Sequence, residues 1–365
     1  MLNVLIIGVG QCGNRILDAI NKEAFGGSVL SKYYGSQKFP SHVETLAINT
    51  AMNDLKELRF TKAKDRIHVP YLHGVGANRN IGKQCFEDHK ELLLRAIEER
   101  GDFDVAFVIA SASGGTGSSF MPLLIEALKE RYKHNVYGII ALPFREEGSI
   151  YLQNSIFCLK ELMAGSSDGN IIVDNQFLRH LGKDIKSAYD GINRTVAQRF
   201  LFLLKSLDSE MMMVTDLGDF KTVMSAGSKL ATMGFGEGNK NLPMRAVIKH
   251  SLSHAGLLFE LDPYKEANRA MMIIEGDKKY LNINDITSEV EKLSSEIGHI
   301  FKGVLLRNGE MPRVLTVLSI ASSSEINKLF NMGIDAVNKE REKKEQIAEQ
   351  NKGLKQKLEG LEPQY

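Results

Sequence analysis

The sequence lacks the features that mark several special classes of protein. Its three cysteines, Cys12, Cys85 and Cys158, form no CxxC spacing, which argues against a disulfide framework or a zinc site. No apolar run approaches the ~20 residues of a membrane-spanning helix, and the N-terminus shows no secretory signal. Lys and Arg (46) almost balance Asp and Glu (45), so net charge favours neither nucleic acid nor a membrane surface as a direct partner. We therefore expect a cytoplasmic protein that does not insert into membranes.

The first half of the chain alternates short apolar runs with helix-length segments. Between residues 2 and 183, helical patterns such as Gly82–Arg100 and Phe120–Tyr132 separate runs rich in Val and Ile. This alternation is typical of an α/β fold, in which helices cover both faces of a parallel sheet and ligands bind at the carboxyl ends of the strands. The strand candidates are Val4–Ile7, Glu44–Ile48, Val105–Ile109, Val136–Ala141 and Ile171–Val173.

The second half of the chain predicts more helix, then a second unit and a tail. Apolar residues recur near the 3.6-residue period from about Asp184 to Leu207, which predicts a long helix, and Phe220–Met233 is predicted as another helix. A smaller α/β unit is expected from about 244 to 322. Its strand candidates are 270–274, 301–306 and 314–320, and its helix candidate is 284–298. Residues 323–365 are predicted to form an exposed helix or a partly disordered tail, because Lys, Glu and Gln crowd them.

A glycine motif follows the first strand candidate. Gly8, Gly10 and Gly13 satisfy GxGxxG, which lets the backbone approach a phosphate at a helix N-terminus. In a dinucleotide-binding fold, an acidic residue at the end of the second strand would hold the ribose. That strand ends in Ala47–Thr50 without a carboxylate. A dehydrogenase that binds NAD therefore stays open only as a weaker alternative.

A second glycine cluster, Ser111–Ser119, lies between the strand candidate Val105–Ile109 and the helix that begins near Phe120. We call Ser111–Gly117 the glycine loop. Its small residues leave backbone amides open as a nest for anionic oxygens, and its hydroxyls add donors. No Lys follows the glycines, so the cluster differs from the Walker A motif. Two such loops on one sheet favour a phosphate-binding site.

Together these segments resemble the tubulin/FtsZ superfamily of GTPases, most closely its prokaryotic CetZ and TubZ branches. Gly10–Asn14 is similar to the first nucleotide loop, and Gly114–Ser118 is similar to the phosphate-binding signature. Ala47–Thr50, Gly74–Asn78 and Pro143–Gly148 resemble the second, third and fifth loops. The resemblance implies GTP and GDP as ligands. The residues that it assigns to the nucleotide are Gly10, Gln11, Cys12, Asn14, Asn49, Gly76, Ala77, Asn78, Gly114, Gly115, Thr116, Gly117, Ser118, Glu147, Asn175, Tyr189 and Asn193.

Some of these residues have a specific role in the resemblance. Glu147 is expected at the ribose, Asn175 at guanine, and the third loop, Gly74–Asn78, at the γ-phosphate. Tyr189 and Asn193 are expected to contact the base, and their spacing of four residues places both on one helix face.

The resemblance implies that Asp216 and Asp219 are catalytic. They lie in Thr215–Phe220, which resembles the loop that enters the nucleotide site of a neighbouring subunit. Two acids there could orient a water for attack on the γ-phosphate. The alternative is that they cap the helix predicted to begin near Phe220.

Several features depart from the family pattern. Val214 replaces an Asn and Tyr151 lies near the position of an Arg in the bacterial division protein. The third loop has no carboxylate. Mg²⁺ is therefore expected to be held mainly by phosphates and water, and no HExxH motif or cysteine cluster predicts a separate metal centre.

The sequence thus predicts a self-assembling GTPase that forms dynamic cytoskeletal filaments by head-to-tail assembly with itself and hydrolyses GTP between subunits. The predicted architecture is a GTP-binding domain with the central helix (1–208), an activation domain (209–322) and a charged helical or flexible tail (323–365), where an adaptor could bind. A filament protein that binds nucleotide without significant turnover remains the main alternative.

Overall fold

A computed structural model of the chain describes residues 2–25, 42–71, 74–208 and 216–359. Ten strands from these residues form one sheet in the order β3-β2-β1-β4-β5-β6-β7-β10-β8-β9. The strands are β1 (Asn3–Val9), β2 (His42–Asn49), β3 (Arg66–His68), β4 (Val105–Ser111), β5 (Asn135–Leu142), β6 (Gly169–Asp174), β7 (Leu230–Glu237), β8 (Ala267–Gly276), β9 (His299–Leu306) and β10 (Arg313–Ile320).

Helices cover both faces of this sheet. They are α1 (Gly10–Phe25), α2 (Met52–Lys56), α3 (Arg79–Glu98), α4 (Gly115–Tyr132), α5 (Ser149–Ala164), α6 (Ile185–Leu207), α7 (Leu217–Met224), α8 (Met244–Ser251), α9 (Ile283–Ile297) and α10 (Ser324–Glu359). Two clusters of buried apolar side chains fill the layers between helices and sheet, one on each face. None of the helices in the described part of the chain is both long and apolar enough to cross a membrane.

The predicted α/β fold is confirmed. Strands β1 to β6 pair in parallel, and β6 also pairs in parallel with β7. Strand β10 is antiparallel to both β7 and β8, so the second unit continues the same sheet. The junction is narrow, since β6 and β7 share only the pairs Asn170–Leu230 and Ile171–Ala231. The domain boundaries at 208 and 322 stay a prediction.

The helix predicted over Phe220–Met233 is wrong in its second half. Helix α7 ends at Met224, and β7 begins at Leu230. Gly227 (φ 57°) and Lys229 (φ 58°) adopt the left-handed conformation, which an α-helix cannot continue through. Pairing with β6 and β10 then buries the start of β7, and this long-range contact outweighs local helical periodicity.

The predicted exposed tail is a helix over its described length, but its first part belongs to the core. Ile326, Leu329 and Ala336 of α10 are buried. Gln153 of α5 donates through Nε2 to the backbone oxygen of Ala336 at 3.1 Å and to the carboxylate of Glu340 at 2.7 Å. Beyond Glu340, the side chains of residues 341–352 are exposed.

Candidate functional site

A cavity of about 640 Å³ opens where the carboxyl ends of the first six strands meet. This is the position at which parallel α/β sheets bind ligands. Most of the residues predicted to bind nucleotide line it, although they come from widely separated parts of the sequence. They are Gly10, Gln11, Cys12, Asn49, Gly76, Ala77, Gly114, Gly115, Thr116, Gly117, Glu147, Asn175, Tyr189 and Asn193.

Two helices begin in the cavity wall shortly after strands. Helix α1 begins at Gly10 after β1, and α4 begins at Gly115 a few residues after β4. Gly10 has a φ of 70°, and a Cβ there would lie 3.0 Å from the amide nitrogen of Gly117. The two helix N-termini are therefore close together, and their free N–H groups and positive dipole ends favour an anionic group between them.

Hydroxyl groups join the glycine loop to its neighbours. The Oγ1 atoms of Thr50 and Thr116 lie 2.8 Å apart, which links the end of β2 to the start of α4. Within the glycine loop, the Oγ atoms of Ser111 and Ser113 lie 2.7 Å apart. These hydroxyls can also donate to phosphate oxygens, as the sequence predicted for this loop.

The other end of the cavity is built around Glu147. Its Oε1 accepts hydrogen bonds from the Tyr189 hydroxyl and from the backbone N–H of Phe144, both at 2.9 Å. The Tyr189 ring packs edge-on against the Phe144 ring, with centroids 5.1 Å apart. Burial and the Glu147 carboxylate raise the pKa of Tyr189, so its hydroxyl remains a donor at neutral pH. The residues predicted for ribose and base therefore hold each other in place.

Two amides and a thiol complete this end of the cavity. Asn175 follows β6 and is 4% exposed, and Asn193 on α6 is 9% exposed. Both have the donor and acceptor groups needed to pair with a purine edge. Burial, reinforced by Glu147, raises the pKa of the Cys12 thiol to about 12. Cys12 is therefore a neutral lining group.

Three predicted residues lie outside the cavity lining and have structural contacts. Asn14 is buried and donates through Nδ2 to the backbone oxygen of Ile48 at 3.2 Å. Asn78 caps α3, with its Oδ1 accepting from the backbone N–H of Asn80 at 3.1 Å. The Ser118 hydroxyl donates to the backbone oxygen of Gly114. Their direct binding to nucleotide stays a prediction.

Asp216 and Asp219 also lie outside the cavity lining and form a capping box at the start of α7. Asp216 Oδ1 accepts from the backbone N–H of Asp219 at 2.9 Å, and Asp219 Oδ2 accepts from that of Asp216 at 3.4 Å. The capping alternative is thus observed for both acids. Val214 and Thr215 lie outside the described residues.

One carboxylate in the cavity wall was not predicted from the sequence. Asp54 of α2 accepts from Gln11 Nε2 at 3.3 Å and from Asn49 Nδ2 at 3.1 Å. Asp54 lies only four residues after Thr50, the end of the predicted second loop, and this closeness could have identified it. The other lining residues that were not individually predicted are Val9, Arg15, Thr50, Ala51, Gly74, Val75, Ser111, Ser113 and Tyr151. Across the described residues, no group of three or more His, Cys, Asp or Glu could itself hold a metal ion.

Comparison with known proteins points to one family. Residues 3–183 match the model of the Tubulin/FtsZ family, GTPase domain. The tubulin-like protein CetZ of Methanothrix thermoacetophila is 58% identical over 348 residues, which cover 94% of this chain and 95% of that protein.

Solved structures extend the similarity to three dimensions. CetZ from Methanosaeta thermophila superposes with a TM-score of 0.87 at 53% identity and covers 98% of both chains. CetZ2 from Haloferax volcanii superposes with a TM-score of 0.80, covering 93% of this chain and 100% of that one, and at 22% identity it supports the fold alone. The predicted resemblance is confirmed, and the dehydrogenase alternative is set aside. The chain belongs to the Tubulin/FtsZ family, and its N-terminal half is that family's GTPase domain.

Proposed function

We propose that this protein is a self-assembling GTPase that forms dynamic cytoskeletal filaments by head-to-tail contact and hydrolyses GTP between successive subunits. GTP would occupy the cavity of one subunit, and the next subunit would supply Asp216 and Asp219. CetZ2 from Haloferax volcanii, which shares this fold, was solved as a GTPγS-bound protofilament. Together with the 58% identity to CetZ of Methanothrix thermoacetophila, this motivates the ligand and the assembly that we propose.

The order of the strands supports one direction for the bound nucleotide. Asn175 follows β6, and Glu147 follows β5. The glycine loop follows β4, and Gly10 follows β1. Since the sheet order is β6-β5-β4-β1-β2-β3, a nucleotide with its base at Asn175 would extend its phosphates towards the end of β2 and the third loop.

The positions of the carboxylates in and around the cavity support an active site shared between two subunits. Among the lining residues, only Asp54 and Glu147 are carboxylates. Asp54 is bonded to two amides, and Glu147 is bonded to a phenol and a backbone N–H at the ribose end. Both interact with residues of their own cavity wall, whereas Asp216 and Asp219 bond to each other's backbone N–H at the start of α7, where Asp216 is exposed and Asp219 partly exposed. A second subunit can therefore reach these two acids, which could position the attacking water.

The phosphate end of the cavity also fits Mg²⁺. This ion prefers oxygen ligands, retains waters and usually binds through one or two carboxylates together with substrate phosphates. The Asp54 carboxylate keeps lone pairs beside its two amide hydrogen bonds, so it could supply an oxygen ligand there together with the hydroxyls of Thr50 and Thr116. When bound with GTP, Mg²⁺ would neutralise phosphate charge.

The proposed function is tested by GTP turnover and sedimentation of the purified chain across a range of protein concentrations. We expect turnover per subunit to rise together with the pelleted fraction. Pelleting with GTP but without phosphate release would instead support the non-hydrolysing filament protein.

A further inference from the structure

Helix α5 contacts the third loop and the glycine loop through one buried side chain. Asn154, which is 6% exposed, donates through Nδ2 to the backbone oxygen of Ala77 in the third loop and to that of Ser113 in the glycine loop, each at 2.9 Å. Asn154 itself does not line the cavity. Its amide therefore connects the two loops from outside the cavity.

A neighbouring ion pair reinforces this connection. Arg79, the first residue of α3, lies 2.6 Å from the carboxylate of Glu161 on α5 and donates to the backbone oxygen of Ser118 at 2.9 Å. Hydrogen bonds from Arg79 and from Lys83 together lower the pKa of Glu161 against the opposing effect of burial. The carboxylate is therefore ionised at neutral pH. The contacts of Arg79 with Glu161 and Ser118 fix the start of α3 to α5 and α4.

The third loop depends on such contacts because it has little regular structure of its own. Gly74 and Gly76 have φ angles of 96° and 49°, which favour glycine. The loop nevertheless lies directly against Gly115, where an added Cβ would be 3.1 Å from the amide nitrogen of Ala77. The hydrogen bond from Asn154 to the backbone oxygen of Ala77 helps to keep so close a contact in one arrangement.

We infer that Asn154 is a positioning residue that holds the third loop in place for the terminal phosphate of GTP. The inference rests on the proposed function and on the direction that the strand order supports for the nucleotide. A diphosphate lacks the group that would reach the third loop. Loss of the Asn154 amide should therefore weaken binding of the triphosphate more than binding of the diphosphate.

Nucleotide affinity of the full-length Asn154→Ala variant tests the inference. GDP and GTPγS, a slowly hydrolysed analogue, are titrated at a protein concentration below assembly. We expect the ratio of GTPγS affinity to GDP affinity to fall about tenfold, the scale for losing two hydrogen bonds. Gln153→Ala is the matched control, since Gln153 also makes two hydrogen bonds but donates both to α10. Its ratio should stay at the wild-type value.

The ratio separates a positioning role from general stability, because a merely structural defect would weaken both nucleotides equally. An unchanged ratio would overturn the inference, whether both affinities fall equally or neither falls. Either result would leave the proposed function intact. If the wild-type protein binds neither nucleotide, the proposed function fails and the inference fails with it. Should Asn154→Ala not fold, Asn154→Ser replaces it, and the same fall in the ratio is required.

Discussion

The carboxylate of Asp216 accepts a hydrogen bond from the backbone N–H of Asp219 at 2.9 Å and so caps α7. In the proposed function, Asp216 also acts in the active site of a neighbouring subunit. The two roles differ in what they require, because Asn caps a helix about as well as Asp but lacks the negative charge. Substitution at this residue can therefore separate stability from catalysis.

Asp216→Asn is expected to keep the unfolding midpoint and to lower GTP turnover in assembled protein by about a hundredfold or more, as for loss of a general base. Asp216→Ala should in addition lose about 1 kcal/mol of unfolding free energy, because α7 loses its cap. Urea unfolding and phosphate release measure the two effects. Normal turnover by Asp216→Asn would limit Asp216 to capping.

Asp219→Ala tests the second acid. The cap at Asp216 uses only the backbone N–H of residue 219, so most of the stability of α7 should remain. Filaments should form with GTP and persist, because the γ-phosphate is not removed. Light scattering followed over time, with phosphate release in parallel, measures both. Filaments that shorten at the wild-type rate would contradict a catalytic role.

Asp54→Asn tests the carboxylate at the phosphate end. An amide is a weaker ligand for Mg²⁺ than a carboxylate. We expect the Mg²⁺ concentration for half-maximal GTPγS binding to rise about tenfold. Glu98→Gln is the control, because Glu98 pairs with Arg131 on the surface and neither residue lines the cavity. An equal Mg²⁺ requirement in both variants would remove Asp54 from the metal site.

Tyr189→Phe tests the hydrogen bond to Glu147. The variant keeps the ring that packs on Phe144 but removes the hydroxyl that orients the carboxylate. GDP and GTP affinities should fall together by about two- to tenfold, the range for one hydrogen bond. Tyr137→Phe is the comparison, since the buried Tyr137 hydroxyl has no hydrogen-bond partner among the residues that the structure describes. Equilibrium titration should show no change for that control.

The glycine motif after β1 and the glycine loop after β4 could be predicted from sequence because each is local. The glycines, the preceding strand and the following helix lie within a few residues of each other, and the strand and helix periods frame them. Gly13 illustrates why glycine is required in such a motif. A Cβ there would lie 2.0 Å from the backbone oxygen of Ile109. Only glycine lets α1 pack so closely on β4.

Other features could not be predicted because distant contacts decide them. Leu230–Met233 fits a helical period, but β7 is stabilised by strands from both halves of the chain. Asn154 is 77 residues from Ala77 and 41 from Ser113 along the sequence. Nothing in its local pattern distinguishes it from an ordinary helical Asn.

The measurement that tests the central claim most directly is phosphate release from GTP as a function of protein concentration. We predict that turnover per subunit is near zero at low concentration and rises steeply above a threshold, because the acids and the nucleotide belong to different subunits. A rate per subunit that is independent of concentration would contradict this account. In that case each subunit would complete its own active site without Asp216 and Asp219 of a neighbour.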